Sequence, residues 1–322
     1  MIVACSARTK ESADTMTASK CATKEQSDMV IPPFNADSAF SFVKAQVDLG
    51  ARVPGTESHQ RCAEYLAREL RRHGADSIIN QHAIVTAFNG DRLPIVNIMG
   101  RFNLDANRRV LLLAHWDTRP WAECDLNPAM RDKPIPGAND GASGVGVLLE
   151  IARNIGKYHP AIGIDILFVD AEDYGTSDGD HSTDSWALGT QYWVKNMPYT
   201  GGQYPSYGIL LDMVGGKNAL FHREQFSDYF AKNIVDKVWQ NAAKTGNSNR
   251  FINQPGGGVT DDHFFIATQA GIPCIDIIEN LNPSTQSFNP TWHTHADNID
   301  NIDPATLKAV GEVVLFTIYN EK

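Results

Sequence analysis

The sequence predicts an α/β domain built on a mostly parallel, twisted sheet flanked by helices on both faces. Three observations carry this. Continuous apolar runs of strand length alternate with longer segments whose apolar residues recur every three to four positions. The later runs lack the polar–apolar alternation of half-exposed strands, so both their faces are covered. Acidic residues and histidines follow those runs directly, where open α/β sheets place their ligands.

Asn35 can cap a helix carrying Phe40, Val43 and Val47 on one face, with Gly50 as its stop. A second helix follows Thr56 and Ser58, with Cys62, Tyr65, Leu66 and Leu70 apolar and Gly74 at its end. Both are expected to pack on the sheet. Ile78 to Phe88 and Leu93 to Phe102 read as strands, and Val110 to Ala114 as a strand buried on both sides. Gly141 to Gly156 reads as a helix with Val145, Leu148, Leu149 and Ala152 inward. Ile164 to Val169 and Tyr207 to Leu211 are further strands. Tyr229 to Ala243 is a helix, Ile272 to Ile278 the last strand and Pro304 to Tyr319 the closing helix. No internal repeat is visible and no linker follows Pro33, so residues 34–322 read as a single α/β domain.

Residues 1–33 read as a tether. Ser6 to Met29 is rich in Ser, Thr, Lys, Glu and Ala, with few large apolar side chains. Ile2-Val3-Ala4-Cys5 reads like the end of a lipoprotein signal with Cys5 as the lipid anchor. That reading implies a periplasmic or membrane-anchored lipoprotein of a bacterium; a chance Cys in a tail is the alternative.

The formal net charge is −10 and no long Lys/Arg cluster occurs, which argues against a nucleic-acid partner. No apolar run approaches the roughly 18 residues of a membrane helix. The five cysteines, Cys5, Cys21, Cys62, Cys124 and Cys274, form no CxxC pair, so a Cys-based zinc site is not expected. Cys62 and Cys274 lie in apolar patterns and read as buried thiols. The chain is expected to act as a monomer.

The chemistry-bearing residues fall at successive strand ends. His115 and Asp117 follow the first buried strand, and Asp140 precedes a helix. Asp170, Glu172 and Asp173 follow the second buried strand, Asp212 ends the third, and His293 lies in the loop after the last. Clustered carboxylates raise one another's pKa unless a cation neutralises them. A mixed Asp, Glu and His set with one open position suits zinc. Singly, each has a plain structural reading; Asp140, for instance, can be a helix cap.

In this order, His115-x-Asp117, Asp140, Glu172-Asp173, Asp212 and His293 resemble the zinc aminopeptidases of the M28 type and their relatives, the glutaminyl cyclases. The resemblance runs from about Asn35 to the C-terminus. It implies a zinc aminopeptidase-like (phosphorylase/hydrolase-like) fold, with Glu172 as acid/base and Asp140, Asp173 and His293 as ligands of one zinc per chain. Animal cyclases and most aminopeptidases have Glu where this chain has Asp173, a side chain one methylene shorter that removes no ligand.

Other features favour the cyclases. Trp292 stands directly before His293, and Asp261-Asp262-His263 matches the cyclase Asp-Asp-His. Phe288 matches a pocket aromatic, and Trp186 is a candidate second indole. Asp276 replaces a His of the animal enzymes and suggests a bacterial branch. The implied reaction is cyclisation of the N-terminal glutamine of peptides and proteins to pyroglutamate, with release of ammonia. Zinc polarises the amide oxygen and Glu172 moves the proton. Asp212 and Asp261 share protons and hold the reacting nitrogen, while Trp292, Phe288 and Trp186 wall a slot for the glutamine methylenes. The alternative is an M28-type aminopeptidase with a second zinc on His115, Asp140 and Asp212; a third is a peptide binder without turnover. Trp292 as core and Asp261 as a helix N-cap are the structural alternatives. The acidic loop Asp178 to Asp184 lacks EF-hand spacing and reads as a solvated loop near the site entrance.

Overall fold

The computed structural model describes residues 1–4 and 31–321. The lipid anchor expected at Cys5 and the tether expected from Ser6 to Met29 lie outside them. The chain divides into two units, Met1–Val30 and the larger Ile31–Lys322. Its elements begin with α1 (Ala36–Asp48), α2 (Glu57–Arg72), β1 (Ser77–Thr86), β2 (Arg92–Phe102) and β3 (Arg109–His115). Then come α3 (Ala142–Ile155), β4 (Gly163–Val169), α4 (Leu188–Lys195), β5 (Gly208–Leu211) and β6 (Phe221–Arg223). The chain continues through α5 (Gln225–Lys244), β7 (Phe251–Pro255), α6 (Asp262–Gln269), β8 (Cys274–Ile277) and α7 (Pro304–Tyr319).

Six strands form one sheet in the order β1-β2-β4-β3-β5-β8. β4, β3, β5 and β8 run parallel, while β2 is antiparallel to both β1 and β4. This is the mostly parallel sheet the sequence predicts. The apolar runs divide by period two. In β3, Val110, Leu112 and Ala114 enter one core and Leu111 and Leu113 the other. α2, α3 and α5 cover the first face, with α7 packed on α3 and α5, and α4 and α6 cover the second, through side chains such as Trp193 and Ile266. Each such fully buried Leu, Ile or Val contributes about 1.5–3 kcal/mol. Asp165, inside β4, is fully buried and held by Arg109 Nη2 at 2.6 Å and Arg101 Nε at 3.1 Å.

Local signals act as read. Asn35 accepts from Ser38 N and Thr56 from His59 N, capping α1 and α2. One expectation fails. α1 packs on α3 and α7 rather than directly on the sheet. Gly146 permits this, because a Cβ there would lie 2.5 Å from Val43 Cγ2. β6 and β7 form a small separate parallel pair. Among the described residues no helix is long and apolar enough to cross a membrane. The parallel strands β3, β4, β5 and β8 end on one edge, which gathers the polar loops.

Candidate metal and active site

The loop after β4 is fastened before its chemistry begins. Asp170 accepts from Val96 N at 2.6 Å and Ala171 N at 2.8 Å, and lies 2.8 Å from His59 Nε2. Asp117 spends both oxygens on the next two residues, accepting from Glu172 N at 3.0 Å and Asp173 N at 3.2 Å. Asp140 is held by Asp297, which accepts from Asn139 N at 2.7 Å and Asp140 N at 3.0 Å. Burial first, then the neighbouring Asp140, raises the Asp297 carboxyl to about 7. The cap position of α3 is Gly141, with no side-chain cap bond, so Asp140 does not act as a helix cap. A Cβ at Gly141 would lie 2.7 Å from Asp117 O. Ala171, Ala187, Met213 and His293 all have positive φ, at 49°, 53°, 49° and 54°. These four left-handed non-glycine residues adjoin or belong to the site, where backbone strain concentrates.

Ligand atoms of Asp140, Asp173 and His293 lie within 4.8 Å of one another. His293 Nε2 is 3.2 Å from Asp173 Oδ1 and 3.7 Å from Asp140 Oδ2. Asp173 Oδ2 is buried without a hydrogen-bond partner, an orphan that a cation satisfies. Two carboxylates and one imidazole, with room for a fourth partner, fit zinc. Burial disfavours the His293 imidazolium, but Asp173 and Glu123 override it and lift the pKa to about 9. Metal binding must therefore displace a proton. His115, Asp140 and Asp212 form a second such group. His115 Nε2 lies 3.0 Å from Asp140 Oδ1 and 3.1 Å from Asp212 Oδ1.

Behind this stands a buried acid cluster. Glu172, Asp212, Asp261, Asp262 and Asp276 are each under a tenth exposed. Burial comes first in every case and raises all five carboxyls, Asp261 to about 7. Repulsion adds to it: Asp261 acts on Glu172, Asp262 and Asp276, and Asp212 acts on Asp261. Protons in such a set belong to the cluster rather than to one residue. Asp261 has two positions at once. It caps α6, accepting from Asp262 N, and it lines the cavity. Asp276 lies 3.8 Å from His263 Nδ1, and Glu224 lies 3.0 Å from His263 Nε2. Asp212 pairs with His115 rather than with Glu172 or Asp261.

The cavity measures about 240 Å³ and brings together Glu172, Asp212, Asp261, Trp186, Phe288 and Trp292 with the three candidate ligands. That is below the ~300–1,000 Å³ of drug-sized sites, a size suited to one residue of a peptide. Trp292 stacks on His293 with centroids 3.6 Å apart at 22°, and Phe288 packs on Trp292 at 4.8 Å. Trp186 faces His293 at 6.5 Å and 22°. All three aromatics are half-buried, so none is plain core. Ser177 and Ser182 also line the cavity, which places the 178–184 loop at its wall.

Sequence reasoning passed over Arg119, Glu123, Glu224 and Asp297. Glu123 Oε1 lies 2.8 Å from His293 Nδ1, and burial notwithstanding, His293 and Arg119 hold its carboxyl near 2. An i,i+4 opposite-charge pair directly after His115-x-Asp117 was a usable signal for Arg119 and Glu123. Asp297, four residues beyond His293, was another.

The chain matches Peptidase family M28 over residues 97–318 and belongs to that family. It is 51% identical to a glutaminyl cyclase of Bacteroides thetaiotaomicron whose crystal structure contains N-acetylhistamine, covering 91% of this chain and all of that one, with a TM-score of 0.88. It is 50% identical to a leucine aminopeptidase precursor from the same organism, over 91% of this chain and 100% of that chain, with a TM-score of 0.87. At greater distance it is 22% identical to glutaminyl-peptide cyclotransferase of Bos taurus, over 82% of this chain and 76% of the bovine protein.

Proposed function

We propose that this chain is a zinc-dependent glutaminyl-peptide cyclotransferase, converting an N-terminal glutamine to pyroglutamate with release of ammonia. The observation that carries the reading is the small slot that Trp186, Phe288 and Trp292 line together with Glu172, Asp261 and the Asp140–Asp173–His293 group. Cyclases at about half identity support it.

A zinc held by Asp140, Asp173 and His293 supplies Lewis acidity at the substrate amide. The chain's own residues do the rest. The aromatic walls hold the glutamine methylenes in a folded rotamer, so the α-amine reaches its own side-chain carbonyl. Glu172, with its raised pKa, accepts the amine proton and returns it to the departing nitrogen. One C–N bond forms, one breaks, and ammonia leaves; no water is consumed. Asp261 holds the reacting nitrogen, while Asp212, paired with His115, lines the same cavity. Lipidation at Cys5, a bacterial envelope location and a monomeric state belong to the same proposal; the Val3-Ala4-Cys5 sequence supports the first.

The His115–Asp140–Asp212 group favours one other reading, a two-zinc aminopeptidase. An assay on a glutamine-leading peptide separates them. Ammonia without free amino acid supports cyclisation; free amino acid without ammonia overturns it in favour of peptidase action.

A further inference from the structure

We propose that Arg119 and Glu123 are positioning residues that tie the zinc ligands to the pocket wall, a role that rests on the zinc reading above. Arg119 Nε donates to Glu123 Oε1 at 2.7 Å and Oε2 at 2.9 Å, and Glu123 Oε1 lies 2.8 Å from His293 Nδ1. An ionised carboxylate only accepts. The proton of a neutral His293 therefore sits on Nδ1, and the Nε2 lone pair faces Asp140 and Asp173.

The other arm of Arg119 reaches the second ligand. Nη1 donates to Asp173 Oδ1 at 3.3 Å, Asp173 O at 3.0 Å and Gly175 O at 3.2 Å. Oδ1 also lies 3.2 Å from His293 Nε2, and Oδ2 is buried without a hydrogen-bond partner. The guanidinium carbon also sits 4.9 Å from the Trp121 ring and 5.0 Å from the Trp186 ring. Gly175, whose carbonyl Arg119 holds, lies under Trp186, where a Cβ would come 2.2 Å from the indole. One buried side chain thus touches one ligand, the partner of another ligand, and the substrate-facing indole. Further along the loop, Cys124 N donates to His293 O at 3.2 Å and Asp125 accepts from His295 N at 2.9 Å. A lysine keeps the charge but loses the planar fork and the stacking between two indoles.

The test uses the purified full chain with Glu123→Gln, Arg119→Lys and Arg119→Met. Zinc affinity is read by competition with a chromogenic chelator, cyclisation kinetics at saturating zinc, and tryptophan packing by near-ultraviolet circular dichroism of the zinc-free protein. Glu123→Gln no longer dictates the His293 tautomer. It is expected to bind zinc ~10–100-fold more weakly and to recover kcat with wild-type KM when zinc saturates. Arg119→Lys is expected to keep a raised KM even at saturating zinc and to change the tryptophan signal, because Trp186 has lost its backing. Arg119→Met is expected to show both losses. Unchanged zinc affinity in Glu123→Gln, or wild-type KM and tryptophan signal in Arg119→Lys, overturns the proposal while leaving the zinc reading standing. A wild-type chain that binds no zinc overturns both. Arg119→Lys carries the arginine arm if Arg119→Met fails to fold.

Discussion

Asp212 Oδ1 lies 3.1 Å from His115 Nε2, and the same nitrogen is 3.0 Å from Asp140 Oδ1. Two carboxylates converge on one imidazole nitrogen, and a second metal would be held by the same three residues. Burial opposes the imidazolium, yet Asp117, Asp140 and Asp212 hold its pKa well above the usual value. The expected zinc content is one tightly held ion per chain, on Asp140, Asp173 and His293, where Asp173 Oδ2 stands without a partner, whereas His115 Nε2 already meets two carboxylates. Elemental analysis after dialysis checks it. Two equivalents, with activity requiring both, shift the assignment to an aminopeptidase.

Trp292 stacks on His293 at 3.6 Å but offers nothing to a metal. Trp292→Ala is expected to leave zinc affinity unchanged and to raise KM for a glutamine-leading peptide, because the slot loses one wall. Zinc titration and steady-state kinetics on the same preparation separate the two effects. Wild-type catalytic efficiency would mean the indole only packs.

The parallel strands were legible because both their faces are covered, which leaves unbroken runs such as Val110 to Ala114. β6 and β7, of three and five residues, are too short to show a period. α4 and α6, at eight residues each, give barely two turns. α5 starts at Gln225 rather than Tyr229 because Glu224, a residue type outside the favoured caps, caps it through Phe226 N and Ser227 N. The strand-end carboxylates could be read from local order alone. Glu123 could not be assigned its role, since its partner His293 lies 170 residues away. Nor does residue type reveal that Ala171 or Met213 adopts a left-handed backbone.

Glu224 makes a prediction about acid stability. It is fully buried, caps α5, accepts from Val259 N at 2.9 Å and faces His263 at 3.0 Å. Burial raises its pKa, but His263 and the backbone donors outweigh this and lower it from 4.5 to about 2. A carboxyl lowered on folding contributes stability that is present above its unfolded value and lost as the folded group protonates. The window is therefore pH 4.5 down to about 2. At pH 7 the contribution is on the order of 3 kcal/mol. Glu224→Gln is expected to lower the urea midpoint at pH 7 and to flatten its fall across that window. A variant whose midpoint parallels wild type from pH 5 to 2 (about the span of the shift) would remove Glu224 from this role.

Glu172 and Asp173 adjoin in sequence and share one anchor, because Asp117 accepts from both their backbone N–H groups. Their side chains nonetheless have different surroundings. Glu172 lies against the acid cluster, where burial and Asp261 keep its pKa high, whereas Asp173 lies against His293 and Arg119. Glu172→Gln keeps the shape but cannot carry a proton. It is expected to hold zinc at wild-type affinity and to lose turnover by ~10²–10⁴-fold. Asp173→Ala removes one of three ligands and leaves Arg119 with Glu123 as its carboxylate partner. It is expected to lose zinc first, with activity partly restored by excess metal. The two variants are compared by zinc titration and ammonia release. If Glu172→Gln loses its zinc, or Asp173→Ala keeps zinc at full strength, the assigned roles are exchanged or the ligand set is different.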